Sequence, residues 1–249
     1  MASLPPVSPV MHSKLASVRP KALLFDLDDT LWPIGPVIAR AELTLHAWLA
    51  AHAPSVARQF SIDSLRQQRL ALLEAQPHLR ADLGALRRAG LHAAFATAGE
   101  DGAKVEAAMA LFFAERNAVT PYEDVLPGLL RLRERILLGS ISNGNADLEV
   151  IGMARHFTVS LAAAEFGSAK PDAAIFHAAC AALGVAPEEA VYVGDDLLLD
   201  VAGAQNAGLR AVWLRRAGQP DHLAAGVAPD AICATFDELL AWLEPQLAD

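Results

Sequence analysis

The sequence has few cysteines and no pair of histidines at helical spacing, and both absences exclude kinds of site. Cys180 and Cys233 are the only cysteines, too few and too far apart for a disulfide framework or a thiolate metal site. We therefore expect two buried free thiols. No two of the eight histidines are four residues apart, the spacing that puts two ligands on one helix face, so a zinc site is not indicated.

The chain also lacks nucleotide-binding motifs, long apolar runs and an excess of basic residues. It contains neither Gly-x-Gly-x-x-Gly nor a Walker loop, so a nucleotide cofactor is not indicated. Polar residues interrupt every apolar run before the roughly 20 residues that a membrane helix needs. The formal net charge of −9 is the opposite of the basic footprint that nucleic acids and membrane surfaces require. We expect a cytoplasmic protein of small-molecule chemistry, with no nucleic-acid or membrane partner and an oligomeric state that the sequence does not indicate.

What is present divides the 249 residues into a leader, an α/β domain and a helical insert. The proline-containing stretch 1–20 is predicted to be a flexible leader. Alternating strands and helices predict a doubly wound, mostly parallel sheet domain built from 21–33 and 120–249, with an all-helical cap at 34–119 between its first two strands. The periodicities predict cap helices at 36–52, 62–75, 79–90 and 103–118, a non-helical return at 120–128, and later strands at 136–142, 157–161, 191–194 and 210–214.

Residues 21–32, KALLFDLDDTLW, form the first predicted strand and the acidic segment that follows it. A short apolar run of strand length stops at three carboxylates, Asp26, Asp28 and Asp29, at the strand end where open α/β sheets bind their ligands. Because side chains alternate along a strand, Asp26 and Asp28 point the same way, and two such charges need a cation or a shared proton. The pattern favours a metal-assisted or acid/base site.

Three later fragments carry polar groups to the ends of other predicted strands. Residues 142–144, SNG, could bind phosphate oxygens through the Ser142 hydroxyl and the backbone of Asn143, or could be an ordinary helix cap near Asn145. Lys170, directly before a proline, could neutralise phosphoryl charge. Residues 191–196, VYVGDD, again end an apolar strand in acids, and oxygen-only ligands of this kind suit Mg²⁺.

In this order, these fragments resemble the four motifs of the haloacid dehalogenase superfamily, and the insert resembles the helical cap that lies between the first and second motifs of its phosphatase branch. The resemblance implies a Rossmann-like core, and it implies that Asp26 is the nucleophile, Asp28 the acid/base, and Ser142, Asn143 and Lys170 the groups that bind the phosphoryl.

The same resemblance implies an Mg²⁺ site. Asp195 and the Asp26 carboxylate would bind the ion together with the backbone carbonyl of Asp28. We add Asp196 as the second acid of the fourth motif, while Asp200 remains an alternative, either as that acid or as a residue that anchors the loop.

The function implied is an Mg²⁺-dependent phosphomonoester hydrolase that acts on a small phosphorylated metabolite through an aspartyl phosphate. A phosphomutase of the same fold and a phosphatase specific for nucleotides or flavin mononucleotide are alternatives, and a non-catalytic binding protein is the least favoured. Dehalogenases lack a second aspartate two residues after the first, so Asp28 argues for phosphate chemistry. The basic residues of 51–95 could attract an anion or be solvated helix faces, and Trp32 could stack on a leaving group or pack beneath the cap.

Overall fold

A computed structural model describes residues 18–218 and 226–247 of the chain. The sheet has six strands in the order β3-β2-β1-β4-β5-β6, and every neighbouring pair is parallel. The predicted α/β class is confirmed, although the three-residue β6 was not predicted because it is too short to show a period. The strands are β1 Ala22–Phe25, β2 Leu137–Ser142, β3 Val159–Ala162, β4 Ala190–Gly194, β5 Arg210–Leu214 and β6 Ala231–Cys233.

The sheet is covered on both faces because β1 is apolar in every position. Leu23 and Phe25 point to one face, where Phe25 stacks on Phe236 at 5.5 Å between ring centroids. Ala22 and Leu24 point to the other face, where they belong to a second apolar cluster that contains Phe176. Because both faces of a parallel sheet are buried, its strands are continuously apolar and do not alternate between apolar and polar residues.

The helices separate into an inserted group and a group that covers the sheet. Between β1 and β2 lie α1 Ile34–His52, α2 Pro54–Gln59, α3 Ile62–Ala75, α4 Leu83–Ala98 and α5 Val105–Asn117. The insert has an apolar core of its own, which includes Leu45, Leu49, Phe95 and Phe112. The helices after the insert are α6 Val125–Leu132, α7 Leu148–Ile151, α8 Ala163–Phe166, α9 Ala173–Leu183, α10 Gly203–Asn206 and α11 Phe236–Leu247.

Predicted helix starts differ from the structure at three places, two of them at a side-chain cap, and the helix predicted to end at residue 90 continues to Ala98. The helix predicted at 79–90 is α4, which begins at Leu83 because the Asp82 carboxylate accepts a hydrogen bond from the Ala85 N–H at 2.8 Å. The return predicted as non-helical to residue 128 already turns helical at Val125. The helix expected near Asn145 is α7, which begins only at Leu148, after Asp147 as its N-cap.

The ends of the described chain are tied to the sheet domain. Of the predicted leader, residues 1–17 lie outside the described residues, whereas the Arg19 guanidinium donates a hydrogen bond to the Leu247 carbonyl at 2.9 Å. Cys180 and Cys233 are both buried and unpaired, as expected. In the part of the chain that the structure describes, no helix combines the length and apolar character needed to cross a membrane.

Candidate active site

The candidate site forms where β1, β2 and β4 end side by side. Phe25 pairs with Val193 on one side and with Ser140 on the other. Asp26 and Asp195 therefore follow the neighbouring strands β1 and β4 at the same edge of the sheet. Ser142 is the last residue of β2, which lies on the other side of β1. This edge is the one at which parallel sheets bind ligands.

Three carboxylates meet at this edge in a group able to hold a metal ion. Asp26, Asp195 and Asp200 each offer an oxygen within 4.8 Å of the other two, and Asp26 and Asp200 are buried. Asp196, which we had placed with the metal ligands, is not in this group. Its carboxylate instead accepts the backbone N–H groups of Leu198 and Leu199 at 2.7 and 2.8 Å, so it caps the turn that follows β4.

A glycine at the end of β4 makes room for Asp200. A Cβ atom at position 194 would overlap the Asp200 carboxylate, so a side chain there would displace it. The same carboxylate accepts the Asp196 N–H at 2.9 Å, which folds the following turn back onto the strand end. The apolar run before Asp195 predicted the strand, whereas the close approach at Gly194 is what brings Asp200 into the three-acid group.

Lys170 links two of the three carboxylates. Its buried ammonium donates to Asp26 at 2.5 Å, to Asp200 at 2.7 Å and to the Tyr192 hydroxyl at 2.8 Å. Burial by itself lowers the pKa of Lys170, but the carboxylates of Asp200 and Asp26 outweigh it and hold that pKa above its ordinary value. The lysine is therefore a fixed positive charge.

The Asn143 side chain holds the loop that carries Lys170. Its carboxamide donates to the Lys170 carbonyl at 2.9 Å and accepts from the Lys170 N–H at 2.8 Å. This reciprocal pair ties the end of β2 to the lysine loop. The phosphoryl-binding role that we predicted for Asn143 concerns its backbone, which these two side-chain hydrogen bonds do not involve.

The single positive charge of Lys170 does not balance the charges of three ionised carboxylates. Burial raises the pKa of Asp26 to about 7, a rise that Lys170 opposes and Asp200 reinforces. Burial, followed by the charges of Asp26 and Asp200, raises the pKa of Asp195 to about 8. Such a surplus of negative charge in a buried place is relieved by protons or by a cation, and hard divalent ions prefer oxygen ligands of this kind.

The turn after β1 contributes Thr30, a residue that our reading of the sequence missed. Its hydroxyl lies 3.3 Å from an Asp26 oxygen and 3.2 Å from an Asp195 oxygen. Asp29 makes this turn possible, since it adopts a left-handed φ of 61° and accepts the Ile34 N–H at 3.0 Å. The carboxylate of Asp29 therefore supports the turn at the start of α1.

Asp28 contacts the helical insert rather than the three-acid group. One Arg116 nitrogen, Nη2, donates to the two Asp28 oxygens at 2.8 and 2.6 Å, and the Trp32 indole N–H donates to one of them at 2.8 Å. Arg116 stands in the last turn of α5 with 1% of its side chain exposed. Trp32 is fully buried and belongs to the apolar cluster of the sheet domain that contains Phe25. Arg116 was also missed, because a helical pattern does not distinguish a buried arginine from a solvated one.

Gly144 brings this pair next to Ser142. A Cβ atom at position 144 would lie 2.5 Å from an Asp28 oxygen and 3.2 Å from both Arg116 Nη2 and Ser142 Oγ, so the three polar groups border one small space. The Ser142 hydroxyl accepts the Gly144 N–H at 2.9 Å. The predicted anion loop and the predicted acid/base residue are thus adjacent.

A cavity of about 600 Å³ opens beside this loop. It passes between the segment that carries α7 and the ends of β2 and β3, and the end of α5 covers part of it. Its walls include Leu27, Phe113, Asn117, Ser142, Gly144 and Ser160.

Four arginines of residues 51–95 pair with acids of the insert. Glu42 is buried and accepts hydrogen bonds from Arg66 and Arg69, each at 2.6 Å, while Arg87 lies 3.5 Å from it. Arg88 donates to Glu106 at 2.8 Å. Arg66 and Arg88 are partly exposed, as expected for solvated helix faces, whereas Arg69 and Arg87 are largely buried against Glu42, which neither interpretation of the sequence anticipated.

Comparison with known proteins finds a family and relatives to which this chain is similar. The sequence profile of the haloacid dehalogenase-like hydrolases matches residues 20–208. Among curated relatives, the 5-amino-6-(5-phospho-D-ribitylamino)uracil phosphatase YigB of Escherichia coli is 34% identical over 79% of this chain and 84% of its own. The phosphoserine phosphatase of Thermus thermophilus is 34% identical over 81% of this chain and 91% of its own.

Solved structures share the whole architecture. A crystal structure of a 2-haloacid dehalogenase from Pseudomonas syringae superposes with a TM-score of 0.84 at 36% identity, over 92% of this chain and 100% of its own. A HAD phosphatase from Thermococcus onnurineus superposes with a TM-score of 0.65 at 28% identity, over 90% and 97% of the two chains.

Proposed function

The chain belongs to the haloacid dehalogenase-like hydrolases, and we propose that it is an Mg²⁺-dependent phosphomonoester hydrolase acting on a small phosphorylated metabolite. The observation that carries this proposal is the Asp26 carboxylate, which Lys170 holds at one oxygen beside the oxygens of Asp195 and Asp200. The named activities of YigB and of the Thermus relative, both phosphatases, support the same reaction class.

Asp26 is the nucleophile of this mechanism. Lys170 fixes its Oδ1 atom, and the Thr30 hydroxyl makes a weaker contact with Oδ2 at 3.3 Å. As Asp26 attacks, a bond forms between its carboxylate oxygen and phosphorus while the bond from phosphorus to the ester oxygen breaks. Lys170 keeps the carboxylate oriented and cancels part of the charge on the phosphoryl group.

Asp28 moves the protons. It gives a proton to the leaving alcohol in the first step and takes one from the attacking water in the second, when the aspartyl phosphate breaks to inorganic phosphate and free Asp26. The indole of Trp32 and the guanidinium of Arg116 hold the Asp28 carboxylate in place. The Ser142 hydroxyl, the Asn143 backbone and Lys170 bind the phosphoryl oxygens.

The residues fit Mg²⁺. Asp26, Asp195 and Asp200 supply oxygen ligands alone, and the raised pKa values of Asp26 and Asp195 indicate a charge surplus that a divalent ion would balance. Bound Mg²⁺ would offset the negative charge of the phosphoryl group and of the attacking carboxylate. The backbone carbonyl of Asp28 is a further proposed ligand.

The direct test is phosphate release from a panel of phosphomonoesters with and without Mg²⁺. We expect hydrolysis with Mg²⁺, loss of it in chelator, and a fall of several orders of magnitude in Asp26→Asn, which removes the nucleophile at nearly constant volume. More than about a tenth of wild-type activity in Asp26→Asn would refute the nucleophile assignment. Isomerised ester without free phosphate would instead identify a phosphomutase.

A second candidate reaction is hydrolysis of a carbon–halogen bond, which the likeness to the Pseudomonas structure favours. Asp28 argues against it, because halide departs without needing a proton donor, whereas an alcohol leaving group needs one. Incubation with 2-chloropropionate separates the two. Chloride release without hydrolysis of any phosphomonoester would replace the proposed reaction.

A further inference from the structure

The cavity of about 600 Å³ adjoins the proposed phosphoryl site directly. Ser142 and Gly144, which border the space beside Asp28, also line the cavity, and Leu27 between the two proposed catalytic aspartates forms another part of its wall. A substrate whose phosphoryl group contacts Ser142 therefore finds the room for its remaining atoms here. This volume lies in the range of pockets that hold metabolite-sized ligands, well above the needs of a two-carbon acid.

The charge of the cavity wall excludes one kind of leaving group. Among the described residues that line it there is no lysine, arginine or histidine, whereas Asp147, Glu149 and Glu165 are present. The Asp147 carboxylate is bound to the N–H groups of Glu149 and Val150, but Glu149 and Glu165 are exposed side chains at the rim. A second anionic group on the substrate would meet like charge with no cation on the wall to pair with it.

Arg116 of the insert borders the same small space as Ser142 and Gly144, but its guanidinium is bound to Asp28 and Asn145. Other arginines of the insert are held away from the cavity wall. Arg66 and Arg69 are committed to Glu42, and the Arg87 guanidinium lies over the Phe112 ring at 3.6 Å from its centroid. Phe113, the residue next to Phe112, presents an apolar wall to the cavity. These three arginines are therefore held by Glu42 or by an aromatic ring of the insert.

The uncharged part of the wall suits hydroxyl groups and C–H faces. The buried Ser140 hydroxyl donates to the Ser160 hydroxyl at 3.0 Å, and Ser160, whose side chain is exposed, can also bond to a ligand. The side-chain oxygen of Asn117 accepts a hydrogen bond from the Asp147 N–H at 3.1 Å. The side-chain NH₂ group of Asn117 can donate hydrogen bonds to a ligand. Phe113, Leu148 and Leu161 supply apolar surface between these polar points.

We propose that this cavity binds the leaving group of the substrate, and that the leaving group is an uncharged polyhydroxy compound, a sugar or sugar alcohol, rather than a sugar acid. The proposal rests on the proposed phosphatase function and names the substrate class for it. Glu149 and Glu165 would exclude carboxylates from the cavity, and Ser160 and Asn117 would bind hydroxyl groups of the ligand.

Glucitol 6-phosphate and gluconate 6-phosphate make a matched pair for the test, since they differ only in an alcohol or a carboxylate at carbon 1. With Mg²⁺ we expect kcat/KM for glucitol 6-phosphate to exceed that for gluconate 6-phosphate by at least about tenfold. Equal or reversed values would overturn the inference and leave the phosphatase proposal standing. Hydrolysis of p-nitrophenyl phosphate but of neither sugar ester would also overturn the inference alone, whereas no hydrolysis of any phosphomonoester would overturn the proposed function.

Two variants test the assigned walls. Glu149→Gln combined with Glu165→Gln should reduce the preference for glucitol 6-phosphate by about threefold or more, with exposed Glu188→Gln as the control that keeps it. Ala164→Phe narrows the cavity and should raise KM for glucitol 6-phosphate by about tenfold, while Val150→Phe, which adds the same ring at an exposed position outside the cavity, should not. An unchanged preference in the double variant, or equal KM values for the two phenylalanine variants, would refute these assignments.

Discussion

The guanidinium of Arg116 and the carboxylate of Asp28 join the helical insert to the sheet domain at the candidate active site, with one nitrogen within 2.8 Å of both carboxylate oxygens. The same arginine reaches the Asn145 carboxamide at 3.1 Å through Nε. The last turn of the insert is thereby fixed to two loops of the sheet domain. Because Asp28 is the proposed acid/base, the insert contributes to positioning a proton-transfer group as well as to enclosing the site.

The variant Arg116→Met tests whether Arg116 positions Asp28 for proton transfer or contributes to substrate binding. The variant keeps an unbranched buried chain but leaves Asp28 without its charged partner, so we expect kcat to fall about tenfold or more with a smaller change in KM. We also expect a loss of about 2 kcal/mol in unfolding free energy, less than for a fully buried pair because 22% of the Asp28 side chain is exposed. Steady-state kinetics and urea unfolding measure the two effects.

Arg116→Lys is the conservative control for that experiment. A lysine keeps the charge and can make one of the two contacts to Asp28, so it should recover part of kcat. A purely structural role for Arg116 would appear as reduced stability with kcat unchanged in the folded fraction, and that outcome would contradict the positioning role.

Asp200→Asn and Asp196→Asn test which acid after β4 belongs to the site. Asp200 binds Lys170 and lies in the three-acid group, so we expect its variant to lose about a hundredfold or more in kcat/KM and to need more Mg²⁺. The Asp196 side chain only caps a turn, so its variant should lose little activity and about 1 kcal/mol of stability at most. A larger loss of activity in Asp196→Asn than in Asp200→Asn would restore the assignment made from the sequence.

The positions of these two acids illustrate what the sequence could and could not predict. The strands, the insert and the positions of Asp26 and Lys170 follow from apolar runs and motif order, which are local properties of the chain. The choice between Asp196 and Asp200 depends on how the turn after Gly194 folds back, and the role of Arg116 depends on packing between elements far apart in sequence. Such contacts leave no periodic signal.

Metal binding should stabilise the protein more at high pH than at low pH. The pKa of Asp26 is about 7 and that of Asp195 about 8, both above the ordinary 3.8. Between the ordinary pKa and these raised values, the metal-free folded state therefore holds more protons than the unfolded state. Stability from these groups is therefore fully present below about pH 4 and is lost as the pH rises through about 7 to 8. Mg²⁺ binds the ionised carboxylates and should offset that loss.

Thermal unfolding with and without saturating Mg²⁺ at about pH 5.5 and about pH 8.5 measures this linkage. We expect the rise in Tm caused by Mg²⁺ to be larger at the higher pH and to be much reduced in Asp195→Asn. Asp237→Asn, which alters an exposed acid at the start of α11, is the control that should keep the full rise. The same rise at both pH values would count against binding of the ion at these carboxylates.

Gly144→Ala should impair catalysis without unfolding the protein, because the added methyl group would lie 2.5 Å from an Asp28 oxygen. Relief of that contact requires Asp28 or the loop to shift by a few tenths of an ångström or more, and displacement on this scale at a proton-transfer group costs about tenfold to a hundredfold in kcat. Gly35→Ala is the matched control, since a Cβ there meets nothing within 4 Å and helical Gly35 gains up to about 1 kcal/mol of stability from alanine. Equal kcat values for the two alanine variants would show that Asp28 and Gly144 are not as close during turnover as they are in this structure.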